Sequence, residues 1–226
     1  MTLFLIALCL VFLSGDTHVL LKEFQNLKTS SKTIYEYDNN GHITKVWNKT
    51  GAETEFIYYS GLIIRKQRAS NQEAFTIDSL FLNREGIVES IAAVSGGKAY
   101  MEYDKDNHLT KSTTYFNASI SLTSEYIWSS GNLTTVTNKN ERDNLISTNK
   151  YEYYDNTLNL IGNHQMGMPF MGLSSKSLIK KLTTVSSNGD TTVRFYEYRR
   201  SRNEKTLIKI TKDINNSTLD SVVYIF

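Results

Sequence analysis

Apolar and polar residues alternate with a period of two along most of this chain, and the alternation is cut at short intervals by small polar turns. "AFTIDSLFL" sets Phe75, Ile77 and Phe81 on one face and Asp78, Leu80 and Leu82 on the other. "DTTVRFYEY" sets Val193 and Phe195 opposite Arg194, Tyr196 and Tyr198. Period-two alternation is the signature of a strand whose two faces meet different surroundings, whereas helical spacing is poor after residue 33. Counting the runs between turn signals predicts about 14 or 15 strands from Thr33 to Phe226.

The turns resemble one another. "YDNNGHI" (37–43), "YYSGLI" (58–63), "FLNREGIV" (81–88), "YDKDNHL" (103–109) and "WSSGNL" (128–133) each run from an aromatic or apolar residue, through a polar turn, to an aliphatic one. Gly41, Gly61, Gly86 and Gly131 supply the positive φ such turns need, and Asn107, the next most tolerant residue, replaces glycine in the fourth copy. The corners recur every 20 to 25 residues or so, the length of two strands and two turns. Successive antiparallel hairpins need no crossover, so an up-and-down meander follows. Strand twist accumulates over so many strands, and the sheet is expected to coil or close into a barrel.

Two stretches depart from this rhythm. "THVLLKEFQNLK" (17–28) places Leu20, Phe24 and Leu27 at helical spacing, predicting a short helix or tether over residues 16–32. "DNTLNLIGNHQMGMPFMGLSSKS" (155–177) has no strand rhythm and holds the only proline and three of the five methionines. A long excursion in a chain of tight turns makes it the candidate ligand- or partner-contacting segment, through His164, Met166, Met168, Phe170 and Met171. The preferred reading is a plug in which Met and Phe170 fill the end of the sheet. The alternatives are a Cu(I) site of His164 and the three thioethers, or an apolar knob for a partner.

Composition sharpens the class. Tyrosine, at 14 residues, outnumbers the ten phenylalanines and two tryptophans, and suits a half-wet pleated surface. The 25 basic against 23 acidic residues leave a net charge of +2, which argues against a nucleic-acid binder. The apolar run from Leu3 to Leu13 is too short to span a bilayer and predicts a signal peptide over residues 1–15, hence an exported protein. "LSGD" (13–16) has the outline of a lipobox with Asp16 where the acylated cysteine would stand. Cys9, the only cysteine, follows a leucine that suits the pattern poorly, so no lipidation site is written here. With the leader removed, neither a disulfide nor a Cys-ligated zinc is expected.

Recognisable chemistry is sparse. Asp104, Asp106 and His108 alternate as calcium ligands do, yet they lack the further oxygens and distal glutamate of a calcium loop, and turn-capping explains them. His42 and His108 occupy one slot of two repeats without a third ligand beside them. Tyr35, Tyr37, Tyr58, Tyr59, Tyr100 and Tyr103 could make a sugar-stacking face or simply pair across strands. No phosphate loop, zinc-protease motif or readable Ser/His/Asp grouping occurs, and no metal or cofactor is expected.

The corners Tyr37-Asp38 with Gly41-His42-Ile43, and Tyr103-Asp104 with Asn107-His108-Leu109, resemble YD repeats of the Rhs type. Over residues 33–226 the layout is similar to a family of Gram-negative lipoproteins of unknown function with a porin-like fold. The resemblance implies a single β domain over 33–226 and an envelope location (periplasm, outer-membrane surface or secreted), and no activity. The expectation is a non-enzymatic binding or structural protein meeting a cell-envelope protein or glycan. The terminal "VVYIF" raises an integral outer-membrane barrel as the alternative, since Tyr224 and Phe226 look like a closing strand. That alternative requires strand charges such as Lys45, Arg65, Glu89, Lys111 and Lys180 to face a lumen. An uncharacterised enzyme stands third.

Overall fold

Six of the turns carry their own hydrogen-bonding residue. Asp38 Oδ1 accepts the backbone N–H groups of Asn40 (2.8 Å) and His42 (2.9 Å). Asp104, Asn83, Asn48, Asn140 and Asp213 repeat this i+2 and i+4 pattern. A side chain that supplies the turn's acceptors fixes the reversal locally, without help from strand pairing.

In the computed structural model, which describes residues 19–116, 119–202 and 205–226, these reversals join 16 antiparallel strands into a closed barrel. The strands are β1 (Glu23–Asn26), β2 (Ser31–Tyr37), β3 (Ile43–Asn48), β4 (Glu53–Tyr59), β5 (Leu62–Arg68), β6 (Thr76–Leu82), β7 (Val88–Ala93) and β8 (Lys98–Tyr103). They continue as β9 (Leu109–Phe116), β10 (Ser119–Ser129), β11 (Asn132–Lys139), β12 (Leu145–Leu158), β13 (Ser177–Ser186), β14 (Thr191–Arg200), β15 (Thr206–Lys212) and β16 (Thr218–Ile225). Every strand pairs with its chain neighbours, and β1 closes the ring on β16 through Phe24 opposite Tyr224. The all-β meander and its closure stand as expected.

The N-terminal segment differs from expectation. Residues 23–26 are a strand, and β2 begins at Ser31, so part of the stretch assigned to a helix or tether belongs to the barrel. Pairing to both β16 and β2 overrides the weak helical spacing of Leu20, Phe24 and Leu27. The predicted leader, with Cys9 and Asp16, lies outside the described residues.

Register assigns the two faces. Thr54, Phe56 and Tyr58 on β4 share a face with Arg65 and Ile63 on β5 and with Asp78 and Leu80 on β6. This face is the lumen, since Phe56, Ile63 and Leu80 are buried in one cluster with Phe170. The opposite face carries Tyr59, Ile77, Phe81, Tyr100 and Ile127, all exposed. It also carries a series of cross-strand ion pairs: Lys32–Glu23, Lys45–Glu53, Arg68–Glu53, Lys111–Glu102, Lys139–Glu125, Lys181–Glu152 and Lys212–Glu197.

The repeated motif has a joining role. Towards the end where the YD corners lie, neighbouring hairpins part, and the aromatic of each corner bridges back to the carbonyl just after the preceding one. Tyr58 donates its hydroxyl to Ile43 O (2.7 Å), Tyr103 to Val88 O (2.9 Å) and Tyr153 to Leu133 O (2.6 Å). Trp128 does the same with its indole N–H to Leu109 O (2.7 Å), and Tyr37 bonds Leu21 O. The first residue of the motif therefore recognises the last residue of the motif before it. The corner that begins at Phe81-Leu82 makes no such bridge and needs none, because β5 and β6 stay paired up to Leu62 opposite Phe81. His42 and His108 sit at these joints: each places Nδ1 3.1 Å from its turn aspartate, and their rings pack on Tyr58 (5.2 Å between centroids) and Trp128 (4.5 Å).

Tyr103→Phe tests the joint directly. It keeps the ring and leaves the Val88 carbonyl, on a residue with no exposure, without its donor. The expected loss is about 1–3 kcal/mol in urea unfolding, with an unchanged m-value. A loss no larger than a surface substitution gives would refute the bridge.

Candidate functional site

Two structures define the interior: a loop that closes one end and a polar wall that lines the other. The loop follows β12 and returns to β13, with a single 3-10 turn at Pro169–Met171. It is stitched to the barrel rim by backbone hydrogen bonds: Leu21 N to Gln165 O (2.9 Å), Ile43 N to Gly167 O (3.0 Å), Leu173 N to Asn107 O (3.0 Å) and Lys176 N to Gly131 O (2.9 Å). Asn163 Nδ2 fastens the loop to itself through Gly172 O (3.0 Å). Two glycines are demanded by the fit. A Cβ on Gly167 (φ +68°) would lie 2.6 Å from the Tyr37 ring and 2.8 Å from Gly41 O. One on Gly172 (φ +77°) would lie 2.8 Å from the Tyr103 ring and 2.9 Å from Asn107 O. The loop thus rests against the same tyrosines that join the hairpins.

Phe170, 5% exposed, enters the lumen between Phe56 (ring centroids 6.0 Å) and Tyr58 (6.1 Å). Met168 and Met171 pack into this cluster, whereas Met166 packs into a second one with Leu21, Leu178, Leu207, Val222, Tyr224 and Phe226. The four apolar residues singled out in sequence thus pack into the barrel interior, divided between two clusters. His164 stands apart and exposed, beside a cavity of about 380 Å³ on the loop's flank that Glu85, Asn107 and Lys176 also line.

Beyond the plug the lumen wall turns polar. Arg65 and Asp78 pair at 2.6 Å, with Asp78 only 8% exposed. Ser124 Oγ donates to Asn138 Oδ1 (2.8 Å), and Asn138 Nδ2 donates to Ser147 Oγ (3.0 Å). Thr184 Oγ1 donates to Asn149 Oδ1 (2.7 Å), and Ser112 and Tyr126 share a hydrogen bond of 3.1 Å. These residues face the lumen by register and form a partial belt of hydrogen-bonded side chains. Such a wall can hold water and polar solutes, because its groups are compensated in the dry state and remain accessible to exchange.

Titration follows burial. Desolvation raises the Tyr37, Tyr58 and Tyr198 phenols above the ordinary range and pushes Tyr103 and Tyr224 up to about 12, with neighbouring tyrosines adding to the effect at Tyr37, Tyr103, Tyr198 and Tyr224. They remain donors at any physiological pH. At Asp38 and Asp104 desolvation opposes ionisation, but the N–H groups of the turn and the adjacent imidazole outweigh it and hold both carboxyls below their usual range.

Asp104, Asp106 and His108 bring ligand atoms within 4.8 Å of one another, yet both Asp104 oxygens are already engaged by the turn and by His108. The six tyrosines do not form one face: Tyr35, Tyr37, Tyr58 and Tyr103 turn inward, while Tyr59 and Tyr100 are exposed outside. Of the strand charges, Arg65 lies in the lumen, whereas Lys45 and Lys111 lie on the outer wall in ion pairs. Sequence reasoning passed over Lys209, which the structure places in the lumen among tyrosines.

Taken together, the chain is a plugged 16-strand antiparallel barrel with a polar lumen and a charged exterior. It is similar to a porin-like protein from Bacteroides uniformis ATCC 8492 (TM-score 0.67, 14% identity, 90% of this chain and 95% of that one). It is likewise similar to a porin-like protein from Bacteroides vulgatus ATCC 8482 (TM-score 0.64, 14% identity, 92% and 98%). At this identity the likeness establishes the porin-like fold and nothing finer. No family model and no curated protein sequence matches the chain.

Proposed function

We propose that the protein is a non-enzymatic binding module of the bacterial envelope that holds a small ligand in the polar half of its lumen. The observation that carries this reading is the inversion of polarity relative to a lipid-embedded pore. Cross-strand ion pairs occupy the outer wall, and apolar residues gather in the plugged end of the lumen. Charges facing lipid near the midplane cost about 2–4 kcal/mol each, and this wall carries them around most of its circumference. Strand length agrees: the seven-residue strands β4, β5 and β6 reach about 23 Å before tilt, less than a tilted strand needs to cross the hydrocarbon core. A plug stitched to the rim by backbone bonds suits a receptacle better than a conduit.

Export to the periplasm, the outer-membrane surface or the medium is part of the proposal and rests on the apolar run Leu3–Leu13. Kinship with YD-repeat lipoproteins is proposed on the same footing, from the aromatic–turn–aliphatic joints. The partner class is a glycan or another envelope component.

Alkaline carbonate extraction combined with planar-bilayer recording tests the reading. The expected result is release of the protein into the aqueous fraction and no added conductance. Retention in the membrane with stepwise conductance would instead establish the integral barrel.

A further inference from the structure

On β14, β15 and β16 the apolar cluster of Leu207, Val222 and Tyr224 gives way to the polar lumen at Lys209. Several lumenal groups elsewhere satisfy one another, as Arg65 does with Asp78 and Asn138 with Ser124 and Ser147. Here donors outnumber acceptors. Lys209 lies opposite Tyr198 and Val222 in register and so faces the lumen. Its ammonium sits over the rings of Tyr196 (5.6 Å) and Tyr224 (5.9 Å). Among the described residues no oxygen accepts its protons. The hydroxyls of Tyr35, Tyr198 and Tyr224 are likewise without a hydrogen-bond partner among the described residues, although Tyr224 is only 5% exposed.

These donor atoms are open to lumenal water, since among the described residues Arg68 Nε is the one buried side-chain polar atom without a partner, so an anion entering the lumen can replace that water. Asp220 lies close enough to act on Lys209 electrostatically, but its oxygens are held by Asn26 Nδ2 (3.1 and 3.2 Å) and by Ser221 N (2.8 Å). Burial lowers the affinity of the Lys209 amine for its proton, and Asp220 opposes that effect. The balance is a partly desolvated ammonium over two phenol rings, with the Arg194 guanidinium at the nearer of them.

We infer that this wall is an oxyanion site that takes the carboxylate of a small acidic ligand such as a uronic acid, with Lys209 as counter-ion and the Tyr198 and Tyr224 hydroxyls as donors. The inference rests on the lumen-binding reading above and specifies its chemistry. Asp220 beside Lys209 offsets part of its charge, which suits a carboxylate monoanion, and inorganic phosphate tests whether Arg194, which interacts with Tyr196 on the same wall, supports a dianion instead.

The experiment is a titration of the folded protein in detergent-free buffer with D-glucuronate, followed by mass-spectrometric footprinting of lysines with acetic anhydride. D-glucose and inorganic phosphate serve as controls. Glucuronate is expected to protect Lys209 selectively and saturably, glucose and phosphate to leave it reactive. Lys209→Met, which keeps the alkyl stem, is expected to weaken glucuronate binding at least tenfold in calorimetry, and Lys209→Arg to retain part of it. Should the variants fail to fold, the wild-type footprint still decides. Equal protection by glucose, protection by phosphate alone, or no protection by glucuronate would overturn the inference. If Lys209 is acetylated in a carbonate-extractable protein but glucuronate does not protect it, the oxyanion site fails and the binding reading survives. If the protein remains in the membrane and conducts, the binding reading itself fails.

Discussion

Phe170→Ala is expected to destabilise the barrel by about 3–5 kcal/mol, the range for removing a buried phenylalanine. Its ring is 5% exposed and packs on Phe56 and Tyr58 in one cluster with Ile43, Ile63, Leu80 and Val88. These neighbours sit on or beside hydrogen-bonded strands of a closed barrel that cannot readily move into the gap, so the cavity should persist and the cost should fall in the upper part of that range. Urea unfolding measures it, and Phe170→Leu should recover more than half of the loss by refilling volume. The effect should also spread along the rim, because the plug is bonded to β3 through Ile43 and to the β8–β9 and β10–β11 turns through Asn107 and Gly131. Hydrogen exchange at Ile43, Leu173 and Lys176 should therefore accelerate together. A loss below about 1 kcal/mol, with those amides still protected, would mean that the loop lies on the barrel without holding it.

The periodicity behind this architecture is visible in the sequence, but its sidedness is not. In β6 both faces are apolar: Leu80 is 1% exposed inside, while Ile77 and Phe81, on the other face, remain 38% and 42% exposed. Alternation places Ile77 opposite Leu80 and says nothing about which of them meets the lumen; only pairing with β5 and contact with the plug decides. The same holds for charge. Lys45 and Arg65 look equivalent in their strands, yet one lies outside beside Glu53 and the other inside beside Asp78. The turns were legible because their chemistry is local, an aspartate or asparagine bonding its own backbone. The inter-hairpin joints were half legible: the aromatics could be aligned, but their acceptors lie 15 to 20 residues earlier. The plug residues were found because Met, Phe and Pro interrupt a strand rhythm. Lys209 was missed because a lysine in "TLIKITK" reads as a solvent-facing break, although it shares its face with buried Leu207. Asking which lysine alternates in phase with buried residues would have found it.

Deleting residues 19–27, which removes β1 and the segment leading into it, is expected to have the largest effect of all. Strand β1 has four residues, too few for alternation to be read from sequence, yet among the described residues it alone links β2 to β16. Its loss exposes the edges of a seven-residue and an eight-residue strand at once. It also removes Leu21, which has no exposure, and Phe24, which packs edge-on to Tyr224 at 5.5 Å. Burying two side chains of that size contributes about 3–6 kcal/mol, and Tyr37 loses its acceptor at Leu21 O as well. An opened sheet can then close only by pairing with another chain, because unpaired strand edges template further strands. Sedimentation velocity should show the deleted chain moving to larger, concentration-dependent species relative to the full chain, with a lowered melting temperature. Adding a peptide spanning residues 19–29 should reverse part of that shift by restoring the missing strand, since the vacated slot offers partners on both sides. A deletion variant that stays at the size and melting temperature of the full chain would show that β2 and β16 can meet directly, and that β1 is an addition to the barrel rather than its closure.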